Sequence, residues 1–258
     1  MGMDARAKLR ELSGKDYAQL VTRCNSAILM IVSSFGKRVI GPLDGGWMTY
    51  EQYTKAVGKR YMRVATDWGK LRVELFKHYM KPGDLFIYHA LGAYAVEQDV
   101  KAIYDWCREN EVLVAMDVSG CLGTPLADGR YCDIMFGSFG KWKPVNLGEG
   151  GFIASSIHQQ WIKSVANACP FKGDEAMLCE QLDKLTGTYE QLQQYREEVT
   201  ADLPFEYITS QYAGTVLVKC SEDEIKPYLH NFEYTVCPRE IRVLKDCVSI
   251  ELKRNLTK

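Results

Sequence analysis

The sequence predicts an α/β fold, with a mostly parallel central sheet sandwiched by helices and a small α+β C-terminal domain. Three observations predict it. Short apolar runs such as Val112-Leu113-Val114-Ala115-Met116 and Cys132-Asp133-Ile134-Met135-Phe136 recur up to Ala154, each bounded by turn or charged residues. Amphipathic helical stretches separate several of them, and that alternation argues for right-handed parallel crossovers. After Ala154 the pattern turns helical and then breaks into short strands, which places a large domain at residues 1–165. Residues 166–258 would then hold a long helix and the small domain.

Taken in order, residues 5–12 are expected to form a short helix. Residues 19–23 read as a strand and 27–35 as an apolar helix, capped by Asn25 or Ser26. A strand feeding a helix N-terminus is also a natural phosphate cradle, because the first amides have no partner within the helix. Cap and cradle both stay open at this stage. Arg38-Val39-Ile40-Gly41-Pro42 ends the next strand, and the turn Asp44-Gly45-Gly46 presents Trp47. Residues 49–57 are predicted helical, 61–65 a strand, and 71–79 a helix that stops before Pro82-Gly83. Leu85-Phe86-Ile87-Tyr88 is a strand ending at His89. Residues 97–110 form a helix with Val100, Ile103, Tyr104 and Cys107 on one face, and it leads to the strand closed by Asp117.

Beyond Ala154, residues 158–168 are predicted helical. Residues 174–198 hold a long helix with a break at Gly187 and an apolar stripe of Leu182, Leu185, Tyr189, Leu192 and Tyr195. Short strands are expected at Tyr207-Ile208, 215–218, 242–244 and 248–250, with a helix over 222–230.

Bulk properties narrow the function. The 258 residues are 47% apolar and 25% charged, an ordinary globular balance. A formal net charge of −1 gives no global reason to expect nucleic acid or an anionic membrane. No apolar run approaches the roughly 18–20 residues of a membrane span, and the charged N-terminus lacks a signal core. The nine cysteines are scattered without a Cys-x-x-Cys pair, which reads as reduced thiols in a cytoplasmic protein. Neither their spacing nor the four histidines suggests a metal.

The chemistry concentrates between Asp117 and Ile153. A carboxylate ends a strand. Gly137-Ser138-Phe139-Gly140-Lys141-Trp142-Lys143 then places a hydroxyl and two lysines on a loop, and Gly148-Glu149-Gly150-Gly151 makes a hairpin. In an open α/β sheet, ligands bind at the carboxyl ends of strands. This stretch resembles the pyridoxal-phosphate (PLP) aminotransferases of fold type I, and most closely the DegT/DnrJ-type sugar aminotransferases. That family shows an Asp at a strand end, later Ser-Phe-x-x-x-Lys, then four residues and Gly-Glu-Gly-Gly. Here these are Asp117, Ser138-Phe139 with Lys143, and Gly148 to Gly151.

The resemblance implies that Lys143, rather than Lys141, is the Schiff-base lysine and that Asp117 pairs with the pyridinium nitrogen. It implies that Asn25, Ser26 and Ser138 hold the phosphate, and that Trp47 stacks on the ring. It implies a homodimer acting on a small-molecule amino donor and a keto acceptor. Residues of the aromatic set Trp47, Trp68, Tyr88 and Tyr94 are expected near that interface. Departures are also visible. Asn25-Ser26 replaces the family's Gly-Thr, and Gly120 stands where Gln or His is frequent. The last strand, Val248-Ser249-Ile250-Glu251, lacks the substrate-clamping arginine. A lyase, desulfurase or racemase on the same cofactor, and a non-catalytic assembly subunit, are the alternatives at this stage.

Overall fold

The structure is a computed structural model and describes residues 4–239 and 241–257. Asp4 caps α1 (Ala5–Ser13) by accepting from the Ala7 amide at 2.8 Å, and β1 (Tyr17–Val21) follows. Next come α2 (Cys24–Ser34), β2 (Arg38–Pro42), α3 (Thr49–Ala56), β3 (Arg60–Val64) and the single turn α4 (Val73–Phe76). The centre of the chain holds β4 (Leu85–His89), the small β5 (Leu91–Gly92) and β6 (Val96–Glu97), then α5 (Val100–Glu109), β7 (Leu113–Asp117), β8 (Ile134–Ser138) and β9 (Gly151–Ser155). The remainder is α6 (Gln159–Ala168), α7 (Glu175–Asp183), α8 (Leu185–Thr200), β10 (Tyr207–Ile208), β11 (Val216–Val218), α9 (Glu222–Ile225), β12 (Tyr234–Cys237) and β13 (Cys247–Ile250).

Seven strands form one sheet in the order β1-β9-β8-β7-β4-β2-β3. β8, β7, β4, β2 and β3 run parallel, and β9 and β1 close one edge antiparallel. The side-chain alternation explains the sandwich. Leu85, Ile87, Ala115, Ile134, Phe136 and Ile153 point to one face and pack with Ile28, Ile31 and Ile162 of α2 and α6. Phe86, Tyr88, Val114, Met116, Met135 and Phe152 point to the other and pack with Leu9, Ile103 and Leu178 of α1, α5 and α7. Because both faces are covered, β4 and β7 read as nearly continuous apolar runs. The expected α/β class with a mostly parallel sheet is present.

A second sheet, β10-β11-β13-β12, is antiparallel. α8 backs it through Leu192 and Val199, with Val216, Val248 and Ile250 in the same core. It is tied to the main sheet's loops by polar contacts: Leu244 N donates to Asp44 Oδ2 at 2.9 Å, Gly45 N to Arg242 O at 2.7 Å, and Thr215 Oγ1 to Ala93 O at 3.1 Å.

Several elements differ from the sequence reading. α2 begins at Cys24, so Asn25 and Ser26 lie in its first turn and no side chain caps it. The Asn25 carboxamide oxygen is instead committed to Trp47 Nε1 at 3.0 Å and Thr49 Oγ1 at 3.3 Å. The break between α7 and α8 falls at Lys184, and Gly187 sits inside α8. Residues 242–244 are not a strand, because Arg242 turns its side chain onto Glu251 and the Leu244 amide is held by Asp44. Tyr234–Cys237 pairs with β13 in their place. The expected helix over 71–79 contracts to α4. Tyr88 belongs to the core of β4, fully buried, and not to an interface loop.

Candidate active site

One cavity of about 330 Å³ opens at the carboxyl ends of β7 and β8 and at the N-terminus of α2. Asp117, Ser138, Lys143, Asn25 and Trp47 all line it. Ser26 follows in the same first turn of α2 and is not part of the lining. Six basic side chains against three carboxylates face the space: Arg23, Lys141, Lys143, Arg242, Lys253 and Arg254 against Asp117, Glu149 and Glu251. That balance favours an anionic ligand.

Lys143 owes its place to the loop between β8 and β9. Phe139 N donates to Gly150 O at 3.1 Å and Leu147 N to Phe139 O at 2.8 Å, which folds the loop back on itself. Gly150 takes φ +87°, in the left-handed region, and a Cβ there would meet Phe171 at 2.6 Å. Gly151 lets α2 approach: a Cβ would stand 2.8 Å from the Cys24 amide. Lys141 is exposed at the cavity's edge, with its ammonium 4.7 Å from the Trp142 ring centroid. Lys143 turns inward, half-buried, and donates to Tyr94 Oη.

Asp117 is 3% exposed. Its Oδ1 accepts from Ser119 N at 2.9 Å and Ser119 Oγ at 2.5 Å, and its Oδ2 accepts from Tyr50 Oη at 2.6 Å. Ser119 Oγ in turn accepts from Ser138 N at 2.9 Å, which ties β7 to β8 at the cavity floor. Three of a carboxylate's about four acceptor sites are filled, leaving one for a donor in the cavity. Burial raises the Tyr50 hydroxyl well above its ordinary range and the Asp117 charge adds to it, so the phenol keeps its proton.

His89 sits 3.9 Å from Asp117 Oδ1 through Nε2. Burial lowers its pKa and Lys143 and Arg242 add to the effect, outweighing Asp117 and the Leu91 carbonyl. Its Nδ1 contacts the Leu91 carbonyl oxygen, which requires the proton there, so Nε2 carries a lone pair. Among the described residues that buried nitrogen has no hydrogen-bond partner. The floor of the site is therefore a cluster of acceptors.

Tyr94, expected from the sequence only as an interface aromatic, is part of the site itself. Ala93 and Tyr94 both take positive φ, +52° and +62°, a conformation costing about 1–3 kcal/mol per non-glycine residue. Gly45 O and Thr215 Oγ1, both bonded to Ala93, hold that turn in place. The result aims the Tyr94 hydroxyl at Lys143, with the ring against His89 at 4.8 Å between centroids. Gly120 makes room for it: a Cβ there would meet Tyr94 at 2.8 Å and His89 at 3.1 Å. The departure at Gly120 was legible in the sequence, but its compensation by Tyr94 was not.

A buried ionic group forms the opposite wall. Arg242 grips Glu251 with Nη2 2.8 Å from both carboxylate oxygens and Nε 3.0 Å from Oε1, and Ser249 Oγ and Lys253 Nζ also donate to Glu251. Burial pushes the Glu251 carboxyl up, but Lys253 and Arg242 outweigh it and hold it at about 2. The Arg242 guanidinium lies 5.3 Å and the Lys253 ammonium 4.9 Å from the Tyr94 centroid. No arginine stands in β13, yet Arg242 and Arg254 reach the cavity from either side of it. The pairing of positions 242 and 251 had no local sequence signal. Among the described residues no group of acidic, histidine and cysteine side chains could hold a metal ion, and no helix is long and apolar enough to cross a membrane.

No model of a known protein family matches the chain, and no curated protein does. Solved structures do. PseC from Helicobacter pylori, an aminotransferase involved in the biosynthesis of pseudoaminic acid, superposes with a TM-score of 0.75 at 13% identity, covering 98% of this chain and 88% of that one. The aminotransferase TlmJ from Streptoalloteichus hindustanus gives 0.74 at 15%, covering 96% and 83%. Serine palmitoyltransferase from S. paucimobilis, solved with a bound PLP–myriocin aldimine, gives 0.71 at 14%, covering 98% and 73%. At such identities the likeness is one of architecture, and the chain has the mostly parallel α/β fold of the type I PLP enzymes.

Proposed function

We propose that this protein is a PLP-dependent aminotransferase that moves an amino group from a small-molecule donor to a keto acceptor. The observation that carries the reading is the placement of Lys143 and the Asp117 carboxylate on one cavity, with the uncapped N-terminus of α2 lining the same space. The donor set fits the cofactor. Asp117 has one acceptor site left for a protonated ring nitrogen, and His89, its neighbour at 3.9 Å, has its pKa lowered by burial and does not compete as a cation. In the first turn of α2 the Ser26 amide donates to Arg23 O at 3.0 Å, which leaves the Cys24 and Asn25 amides for a phosphate, with Arg23 and Ser138 on the same cavity. Trp47, pinned by Asn25, offers a flat apolar face 5.8 Å from Lys143 Nζ. The neighbouring aminotransferases, and the PLP bound to serine palmitoyltransferase, support the same cofactor.

When bound, PLP supplies the electron sink for the carbon that loses its proton. The chain's residues do the rest. Asp117 holds a proton on the ring nitrogen by its charge, and the acceptor bonds from Ser119 and Tyr50 fix its orientation. Lys143 Nζ, steadied by Tyr94 Oη, takes and returns the substrate proton. Arg254, on the same cavity, would meet the substrate's anionic end, while Lys253 is held on Glu251 and burial lowers its pKa. The test is a donor screen: purified protein with PLP and individual amino acids should show a change in the cofactor's visible absorbance and release the matching keto acid. Keto sugars linked to nucleotides, the acceptors that the resemblance to DegT/DnrJ-type enzymes implies, are the first to try. Absence of both signals across all common amino donors would remove the reading.

The active form is proposed to be a homodimer. Leu43, Met48 and Leu244, 41%, 39% and 40% exposed, surround a second hollow that shares Trp47 with the active-site cavity. Covering those side chains would shield the cofactor side of Trp47 as well. Light scattering at micromolar concentration is expected to give twice the chain mass, and a monomer holding PLP stoichiometrically would contradict it.

A further inference from the structure

Beside the cavity, two thiols face one another. Cys237 ends β12 and Cys247 opens β13, and the antiparallel register pairs them directly. Both are buried, at 3% and 2% exposure, and both are free thiols. Directly opposed residues of antiparallel strands have Cα atoms about 4.5–5.5 Å apart, within the roughly 4.4–6.8 Å that disulfides span. Opposed residues also project from the same face of the sheet, so the two sulfurs need no strand to turn. β12 is the edge strand, which leaves the pair at the rim of the sheet.

We propose that Cys237 and Cys247 form a redox modification site, closing to a disulfide with peroxide and reopening with a thiol reductant. The two sulfurs have different roles. The hydrogen bond from the Cys247 thiol lowers the Cys237 pKa against the effect of burial, and the Val243 amide and the Arg242 charge lower it further. The same contact raises Cys247. Cys237 is therefore the thiol of the pair that gives up its proton more readily, and attacks as the thiolate once it has done so. It bonds to one peroxide oxygen as the O–O bond breaks, giving a sulfenic acid and hydroxide. The Cys247 sulfur then bonds to the Cys237 sulfur, and the hydroxyl leaves with the Cys247 proton as water. Two thiols lose two electrons, and one peroxide becomes two waters once the hydroxide takes up the proton that Cys237 had released.

The residues between the two cysteines include Ile241 and Arg242, which line the cavity, and Leu244, whose amide is bonded to Asp44. Closing the ring fixes both ends of that wall. This inference does not depend on the PLP reading, because the strand register and the contacts of the two thiols carry it.

The experiment treats the full wild-type chain with hydrogen peroxide, blocks remaining thiols, and maps the non-reduced digest. The expected product has lost two hydrogens in mass, contains a Cys237–Cys247 linked peptide, and returns to the free thiols with dithiothreitol. In Cys247→Ser the link should be absent and a sulfenic acid at Cys237 should react with dimedone. If the wild-type digest shows peroxide linking other cysteines while these two remain open to alkylation after unfolding, the proposal is wrong. The wild-type map decides the matter even where the variant fails to fold.

Discussion

Replacing Lys143 with alanine is expected to cut turnover at least about 10⁴-fold, the combined loss of a nucleophilic amine and a proton carrier. The fold should persist. Lys143 is half-buried on a loop, and its bond within the chain is to Tyr94 Oη. The loop is closed by backbone bonds at Phe139, Leu147 and Gly150, which the substitution leaves alone. Thermal unfolding should therefore shift by no more than a few degrees. Lys141→Ala is the matched control. That side chain is exposed over Trp142 at the cavity's edge and is not the residue assigned to the cofactor, so its loss should cost far less turnover than that of Lys143. Steady-state kinetics on both variants, with the donor found by screening, check the pair. Equal losses in the two would contradict the assignment.

Asp117→Asn is expected to lower turnover by more than about 100-fold while PLP still binds. The amide keeps the shape but not the charge. Its oxygen can go on accepting from Ser119 N and Oγ, and its nitrogen can donate to Tyr50 Oη, because a phenol both donates and accepts. The bonds lost are therefore few, and destabilisation should stay near 1–3 kcal/mol, in the range for an altered hydrogen bond to a charged group. What disappears is the negative charge that keeps a ring nitrogen protonated. A loss of kcat with binding retained separates that role from a merely structural one. Near wild-type turnover would assign the work to another group.

Much of the fold was written locally. The runs at Leu85–His89 and Leu113–Asp117 are apolar almost throughout because parallel strands are covered on both faces, so they read clearly. Asp99 and Asp174 cap α5 and α7 through their own side chains, an equally local signal. The edge strand β12 did not read, since Tyr234 and Val236 are partly exposed and only Cys237 is buried. The register that brings Arg242 to Glu251 depends on β12 pairing with β13, which no spacing in the sequence announces.

The site divides in the same way. Asp117, Ser138 and Lys143 sit at strand ends or on one loop, so their spacing carried them. Tyr50 and Tyr94 come from a helix and a strained turn far away in sequence, and their side chains meet Asp117 and Lys143 only through packing. Asn25 was read as a cap or phosphate ligand. Its amide lies in the uncapped first turn of α2, but its side chain holds Trp47, a partner that only the tertiary structure could supply.

The central claim is that Lys143 bonds covalently to the cofactor, and reductive trapping tests it most directly. The purified chain is saturated with PLP, reduced with borohydride, digested and mapped by mass spectrometry. The expected result is a single pyridoxyl group on Lys143. A group on Lys141, or no labelled peptide, would contradict it.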